Sequence, residues 1–492
     1  MYLGLDLGTS ALKALLLDAD QRVVAVVSEP LAIRRPQPLW SEQDPDQWWT
    51  ALDHALLRLR ELHPAPMAAV CALGLAGQMH GAVLLGADDR VLRPAILWND
   101  GRSAAQCDEF SAALPALAAI AGNLAMPGFT APKLLWVRAH EREVFAATAK
   151  VLLPKDWLRL RLSGEHATDC SDASGTLWLD VGRRCWSEEL LAVCGLGLEH
   201  MPRLVEGSDV AGRLRPVLAD RWGLPAGVPI AGGGGDNAAS AVGLGIANAN
   251  EGFVSLGTSG VVFLASDRHR PRPDAAVHAF CHALPGRWHQ MSVMLSAMSA
   301  LHWARVLLGL ASEAALLDCA ESLDASRRER APLFLPYLGG ERTPHHDADA
   351  KGVLFGLAHE HDAAAIAHAV VEGVTFGLLD GWQALAALPG AVDSLMLVGG
   401  GANNAGWARM LASAFGVPIE VAAESAAAGA LGAARLAALA AGGDPAEFCR
   451  RPDVAREFRP DEGEAALLQA RHARFRALYP TLARSFKAGP ER

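Results

Sequence analysis

The 492-residue sequence has no Cys-x-x-Cys pair; its eight cysteines, Cys71, Cys107, Cys170, Cys185, Cys194, Cys281, Cys319 and Cys449, stand apart from one another. That pattern excludes a disulfide framework and a zinc-ribbon site, and it reads the thiols as small buried apolar residues. The apolar runs, of which AAVCALGLAG is among the longest, fall short of the ~20 residues that span a bilayer. No charged segment behind Met1 leads into an apolar one, so export is not expected and the chain reads as cytoplasmic, with no membrane partner. Positive charge is in deficit, with 44 Lys and Arg against 54 Asp and Glu and a net charge of −10. A nucleic-acid partner, which needs basic clusters, is therefore not expected. Two nucleotide signatures are also missing. Neither G-x-x-x-x-G-K-S/T nor G-x-G-x-x-G occurs, which excludes a P-loop and a Rossmann turn.

What is present is a globular composition, 51% hydrophobic and 20% charged, in a chain too long for one core. Single cores stop growing at ~250–300 residues, so two large domains are expected. Tyr2 to Leu17 alternates apolar with small or polar residues around a Gly-Thr-Ser turn and reads as a β-hairpin. A helix is expected from near Asp44, through DPDQWWTALDHALLRLREL, with an acidic cap and a proline in its first turn. Strands are expected at Val70–Leu75 and Val83–Leu85, and helices at Phe145–Ala149 and Lys155–Arg161. Gly252 to Leu264 repeats the opening pattern, so that LGTS stands at 7–10 and again at 256–259. Two related units facing each other would meet near residues 244–250, giving domains of residues 1–246 and 247–492. The second half adds a long helix from Ala363 to Leu388, a buried strand running into triple glycine at 395–404, and a surface helix from Glu464 to Phe486.

Chemistry concentrates at the glycine turns: Gly8-Thr9-Ser10, Gly232 to Gly235, Gly257-Thr258-Ser259-Gly260 and Gly399 to Gly401. Glycine lets backbone N–H groups approach an anion closely. Each turn alone is an ordinary one; four of them after apolar strands point to a nucleotide cleft. Asp6 ends a strand two residues before the first turn, and Asp236 follows the GGGG run. Singly, Asp6 fits an Asx-turn acceptor and Asp236 a helix N-cap. Together, beside glycine turns, they fit a phosphotransferase better. Gln78-Met79-His80 follows a strand and sits between glycines, where α/β folds bind ligands. The residues alone leave a substrate contact and a satisfied structural histidine both open. Arg342-Thr343-Pro344-His345-His346-Asp347 has a metal-like look but no spaced third ligand, and Trp48-Trp49 could stack on a sugar yet sits on a helix that needs a core face.

A set of longer strings resembles the FGGY family of carbohydrate kinases over nearly the whole chain, weakening after about residue 440: MYLGLDLGTS, PLWSEQDPDQWW, GLAGQMHGAVLL, RPAILWNDGR, GNLAMPGFTAPKLLWV, VLLPKDWLRLRLSGE, GGGGDNAA, SLGTSG, FCHALPGRWHQMSVMLSA, FLPYLGGERTPH and LVGGGANN. The resemblance implies an α/β, actin-like fold of the hexokinase type, two ribonuclease-H-like domains flanking a deep cleft. It implies phosphorylation of a small ketose, D-xylulose, by ATP with Mg²⁺, or of ribulose, gluconate or glycerol within the same family. A non-catalytic actin-like sensor is the more distant alternative. By the same resemblance Asp236 is the catalytic base, while Gln78, Met79, His80 and Asn237 contact the sugar. Asp6 handles the metal near the phosphates. Gly8, Thr9 and Ser10 with Gly257, Thr258 and Ser259 form the phosphate loops, and Gly400, Gly401 and Asn404 bind nucleotide. The segment GALGAA at 429–434 fits the family pattern, whereas the preceding AAESAAA does not, which leaves the adenine side open. A homodimer is implied as well.

Overall fold

The computed structural model describes residues 1–385, 392–423 and 427–487. The last residues of the expected Ala363–Leu388 helix and the middle of AAESAAA lie outside the described residues. Among the described residues, two seven-stranded sheets carry the fold.

The first sheet consists of β1 (Tyr2–Leu7), β2 (Ala11–Leu17), β3 (Val23–Pro30), β4 (Ala72–Gly77), β5 (Val210–Arg213), β6 (Pro229–Ala231) and the two-residue β7 (Gly234–Gly235). Their order is β5-β6-β4-β1-β2-β3, with β7 beside β4. Helices α1 (Pro45–Leu62), α2 (Thr130–His140), α3 (Pro154–Ser163) and α4 (Asp236–Gly243) accompany it. The second sheet consists of β8 (Gly252–Leu256), β9 (Gly260–Ser266), β10 (His278–Cys281), β11 (Trp288–Met294), β12 (Leu395–Gly399), β13 (Ile419–Ala422) and β14 (Val454–Phe458). Their order is β10-β11-β9-β8-β12-β13-β14. With it go α5 (Ala363–Ala384), α6 (Ala405–Phe415), α7 (Ala428–Ala440) and α8 (Glu462–Phe486). Both sheets pair an antiparallel run (β1-β2-β3, β8-β9-β11) with parallel neighbours (β4 and β6, β12 and β13). The sequence repeat is thus a structural repeat.

The alternation in β1 has a direct cause. Leu3, Leu5 and Leu7 are buried in one core with Trp48, Leu52 and Leu56 of α1 and Trp157 and Leu158 of α3. Gly4 and Asp6 point the other way, as period-two geometry requires. Each buried leucine is worth ~1.5–3 kcal/mol of transfer free energy. Helix α1 starts where the sequence suggested: the Asp44 side chain accepts from Asp46 N at 3.0 Å and Pro45 occupies the first turn.

The other faces of the sheets are covered crosswise. Helix α7, from the second half, lies on β1 and β4; a Cβ on Gly4 or Gly74 would come within 1.9 Å of the Ala430 or Ala433 carbonyl oxygen. Helix α4, from the first half, packs Ala241 against Phe253, Phe263 and Met396 of the second sheet. Each half therefore lends a sheet-covering helix to the other.

Helix α5 is long and apolar enough to cross a membrane by length and composition, yet 83% of its apolar window is buried. Its charges anchor α8: Arg471 pairs with Glu372 at 2.6 Å and His472 with Asp380 at 2.9 Å. It is a core helix.

Some sequence expectations shift. The strand expected at Val70–Leu75 runs Ala72–Gly77, because its register is set by β1, Tyr2 opposite Ala72 through Leu7 opposite Gly77. Instead of a helix over Phe145–Ala149, the helix covers Arg142–Ala147 and Lys150–Leu152 forms a strand, recruited by antiparallel pairing with Val83–Leu85. Among the cysteines, Cys71 and Cys185 are exposed rather than buried. Cys71 precedes β4, outside the core, and donates to the Met1 carbonyl at 3.1 Å.

Candidate active site

Strands β1, β4 and β7 end at one level. Their parallel register aligns Leu7 with Gly77 and Gly77 with Gly235, so the residues that follow converge on one edge. The glycine run is needed for that convergence: Gly233 has φ +75°, and a Cβ there would lie 1.9 Å from the Leu75 carbonyl oxygen.

Asp236 emerges from this run as the first residue of α4; the N-cap is Gly235. Asp236 Oδ1 accepts from Asn237 N at 2.7 Å and from Asn237 Nδ2 at 2.9 Å, so Asn237 orients the carboxylate and leaves Oδ2 uncommitted. The residue keeps partial solvent access. Burial, followed by the charge of Asp6, pushes its pKa up to about 7 against the opposing pull of the Asn237 bonds. Such a carboxyl is poised to take a proton near neutral pH.

Asp6 lies on the face of β1 turned toward α7, where a Cβ on Gly429 would fall 2.6 Å from its Oδ2. Its Oδ1 is buried without a hydrogen-bond partner. Burial raises its pKa, and Lys13, opposite in the hairpin register, opposes that shift. An orphaned carboxylate oxygen two residues before a glycine turn suits a hard cation. No group of three or more metal-ligating side chains is found among the described residues. One protein carboxylate is the usual protein share for Mg²⁺ that arrives with phosphate oxygens. The donor set fits.

The first glycine turn is locked from behind. Gly8 N donates to the Ala11 carbonyl at 3.0 Å. The Thr9 hydroxyl accepts from Trp98 Nε1 at 2.9 Å and donates to Gln78 Oε1 at 3.2 Å, while Gln78 Nε2 reaches Gln43 Oε1 at 2.9 Å. Gln43 in turn holds the Thr9 carbonyl at 2.8 Å and accepts from Trp48 Nε1 at 3.0 Å. Gln78 is therefore placed behind the turn, its amide committed to Thr9 and Gln43, and Ser10 is exposed. Trp48 is core, and Trp49 lies under Arg161 at 4.5 Å, away from the site.

In the second domain, Gly257, Thr258 and Ser259 form the turn between β8 and β9, with the Thr258 carbonyl accepting from Ala297 N at 3.1 Å and Ser299 N at 3.2 Å. The turn after β12 lies alongside, since Leu256 pairs with Gly399. Gly400 is exposed with nothing within 4 Å of a would-be Cβ, Gly401 is buried, and Asn404 caps α6 by accepting from Trp407 N at 2.7 Å. A cavity of about 700 Å³ opens beside this turn, lined by Gly399, Gly400, Asn403, Ala428 and, from the first domain, Leu15.

His80 stands at the other end, with Met79 between it and the Gly235 backbone. Its φ is +68°, and its carbonyl is gripped by Thr130 Oγ1 at 3.1 Å and Lys133 Nζ at 2.8 Å. The ring Nδ1 lies 2.7 Å from the Gly175 carbonyl, which only accepts, so Nδ1 carries hydrogen and Nε2 presents a lone pair. Burial drives its pKa down to about 3, keeping the imidazole neutral. Phe129 packs edge-on at 4.8 Å, and Phe280 of β10 reaches within 6.0 Å.

Several supporting residues carry no visible sequence signal. Gly235 N donates to Ser171 Oγ at 3.1 Å, and Ser171 donates to Asp169. Asp169 pairs with Lys155 at 2.7 Å, which also holds Asp156 at 2.7 Å and Asp172 at 3.0 Å, all fully buried. This ion cluster underlies the strand end that delivers Asp236. In the ERTPHH segment, His345 stacks on Tyr479 at 3.6 Å and His346 is exposed.

Two neighbouring carboxylates beside glycine turns, in a chain built of two related α/β units, are the parts a phosphotransferase requires. Residues 1–243 match the N-terminal domain, and residues 252–441 the C-terminal domain, of the FGGY family of carbohydrate kinases, and the chain belongs to that family. It is similar to the xylulose kinase of Escherichia coli, 51% identical over 98% of this chain and 99% of that one. Among solved structures it is similar to a xyloylose kinase from Brucella ovis, with a TM-score of 0.94 and 50% identity over 98% of this chain and 99% of that one. A gluconate kinase from Lactobacillus acidophilus superposes with a TM-score of 0.92 at 27% identity, covering 99% of this chain and 98% of that one.

Proposed function

We propose that this chain transfers the terminal phosphoryl group of ATP to D-xylulose, giving D-xylulose 5-phosphate and ADP. The substrate rests on the 51% identity, over almost the full length, to a relative named xylulose kinase. The chemistry rests on Asp236, whose Oδ2 is free in a half-buried site that pushes its pKa up to about 7.

Residues 1–246 supply the sugar site and the base, and residues 247–492 most of the nucleotide site. The ketose lies between His80, whose Nε2 accepts a hydrogen bond from a hydroxyl, and Asp236. Asn237 fixes the carboxylate, and Met79 forms the apolar wall. The terminal hydroxyl oxygen attacks phosphorus in line while its proton passes to Asp236 Oδ2 and ADP departs. The transition state is loose, so positioning and charge complementarity carry most of the rate. Backbone amides of Thr9–Ser10, in the turn that Gly8 closes, and of Gly257–Ser259 and Gly400–Gly401, with Asn404, face the phosphates and nucleotide. Asp6 would hold Mg²⁺, which when bound offsets phosphate charge. The negative net charge favours no nucleic-acid or membrane partner, the cytoplasm is the expected compartment, and a homodimer follows from the family resemblance.

The test is ADP release by the purified protein with D-xylulose, D-ribulose, D-gluconate and glycerol. A kcat/KM highest for D-xylulose supports the reading. Preference for gluconate, the acceptor named for a structure with the same fold, overturns the substrate, and ADP release that ignores added sugar overturns the kinase.

A further inference from the structure

The segment left without a role, Arg342 to Asp347, brings one side chain to the His80 end of the site. Arg342 keeps partial solvent access, as His80, Asp6 and Asp236 do. It comes from the second domain yet reaches the first: its Nη2 would stand 3.9 Å from a Cβ on Gly128, and the Gly128 carbonyl accepts from the same Lys133 that grips His80. Its Nη1 meets His278 Nε2 at 3.0 Å, and His278 packs on Phe129 at 5.4 Å, the ring that packs on His80. Arg342 is among the charges that act on His80, whereas the groups acting on Asp236 are Asp6 and Asn237. It therefore belongs to the His80 end.

The backbone on both sides is fixed. Glu341 Oε1 accepts from Arg342 N at 2.8 Å and from Leu295 N at 3.0 Å. Thr343 exchanges hydrogen bonds of 3.1 Å with Val293 and donates to the Ala276 carbonyl at 3.0 Å. Glu341 is itself pushed up to about 8 by burial and stays largely protonated at neutral pH. Among the described residues, Arg342 makes no ion pair, and His278 is the one side chain its guanidinium bonds. A guanidinium has five N–H donors and accepts nothing. One held rigid, half-buried and mostly unspent leaves its donors for a ligand with lone pairs.

We propose that Arg342 is a sugar-binding residue supplied by the second domain, donating to the C1 hydroxyl and C2 carbonyl of the ketose, the end remote from the hydroxyl that Asp236 deprotonates. This rests on the ketose reading above. Because the arginine is carried by the opposite domain from His80, filling the site with sugar also ties the two domains together at this end.

The experiment compares wild type, Arg342→Ala and Arg342→Lys on D-xylulose and on 1-deoxy-D-xylulose, which lacks one proposed acceptor. Calorimetric titration of the nucleotide-free protein with each sugar is run alongside. Loss of charge-assisted hydrogen bonds predicts a KM and Kd for D-xylulose raised ~10–100-fold in Arg342→Ala, with kcat and the KM for ATP affected far less. Arg342→Lys recovers part of the loss, and the penalty shrinks for the deoxy sugar. An unchanged KM, or equal penalties for both sugars in both variants, overturns the proposal. Wild-type turnover of D-xylulose judges the function by itself; only the variant-to-wild-type ratio judges the arginine.

Discussion

Gly432 of α7 rides on Ala239 of α4 so closely that a methyl group on it would stand 1.7 Å from the Ala239 carbonyl oxygen. No rotamer relieves a clash with backbone, so Gly432→Ala must push the helices apart by more than an ångström. That shift also moves Gly429 away from Asp6. Overpacking of this kind costs ~1–3 kcal/mol or more. The expected outcome is a melting temperature lowered by several degrees together with a loss of turnover, read by calorimetry and by the ADP assay.

Asp236→Asn should lower kcat by ~10²–10⁴-fold while the Kd for sugar moves little, since the amide keeps the shape but cannot take a proton. In wild type, kcat/KM should rise with pH through about 7, where the carboxyl ionises. The same shift affects stability. Between the ordinary carboxylate range and about 7 the native state binds more protons than the unfolded one, so stability falls as pH rises through that window. Asp236→Asn escapes this loss: it should melt higher than wild type at pH 8 and show no such advantage at pH 4. Thermal melts at the two pH values check the sign.

Asp6→Asn removes the neighbouring charge that helps raise the Asp236 pKa. The acid limb of the residual kcat/KM should therefore move to lower pH, and carbon-13 NMR of the Asp236 carboxyl should show the same direction in the nucleotide-free protein. The variant should also need more Mg²⁺ for half-maximal turnover. In wild type, EDTA should abolish turnover and added Mg²⁺ restore it.

Lys155→Met leaves Asp156, Asp169 and Asp172 without the cation that all three touch in a fully buried site. Breaking such a cluster costs ~3–5 kcal/mol, a large part of a typical ~5–15 kcal/mol stability. Little folded protein is expected at 37 °C, measured as the soluble fraction and by urea titration. A variant that folds as well as wild type would show that Arg159, also bonded to Asp156, suffices.

Much of this was legible in the residues. The paired LGTS turns, the strand before Gln78 and the glycine run before Asp236 are local patterns, and local patterns survive folding. The strands that lead to the first glycine turn, to Gln78–His80 and to Asp236 end in register, in keeping with the reading of each as following an apolar strand. Gln78 is different. Its amide is taken up behind the turn by Thr9 and Gln43, and nothing within five residues announces Gln43. Lys155, Asp169 and Ser171 carry no local signal for the same reason: their meaning lies in partners far along the chain. A buried lysine and a surface lysine look alike until the fold decides.

The crosswise covering of the two sheets has a consequence for how the chain could ever be divided. A cut near residue 246 would give one piece lacking the helix that shields β1 and β4, and another lacking the one that shields Phe253 and Phe263. Neither fragment could stand alone, the first with the Gly4 and Gly74 face of its sheet bare and the second with Phe253 and Phe263 exposed to water. Any activity from such a split protein should appear only when both pieces are made together, each completing the other.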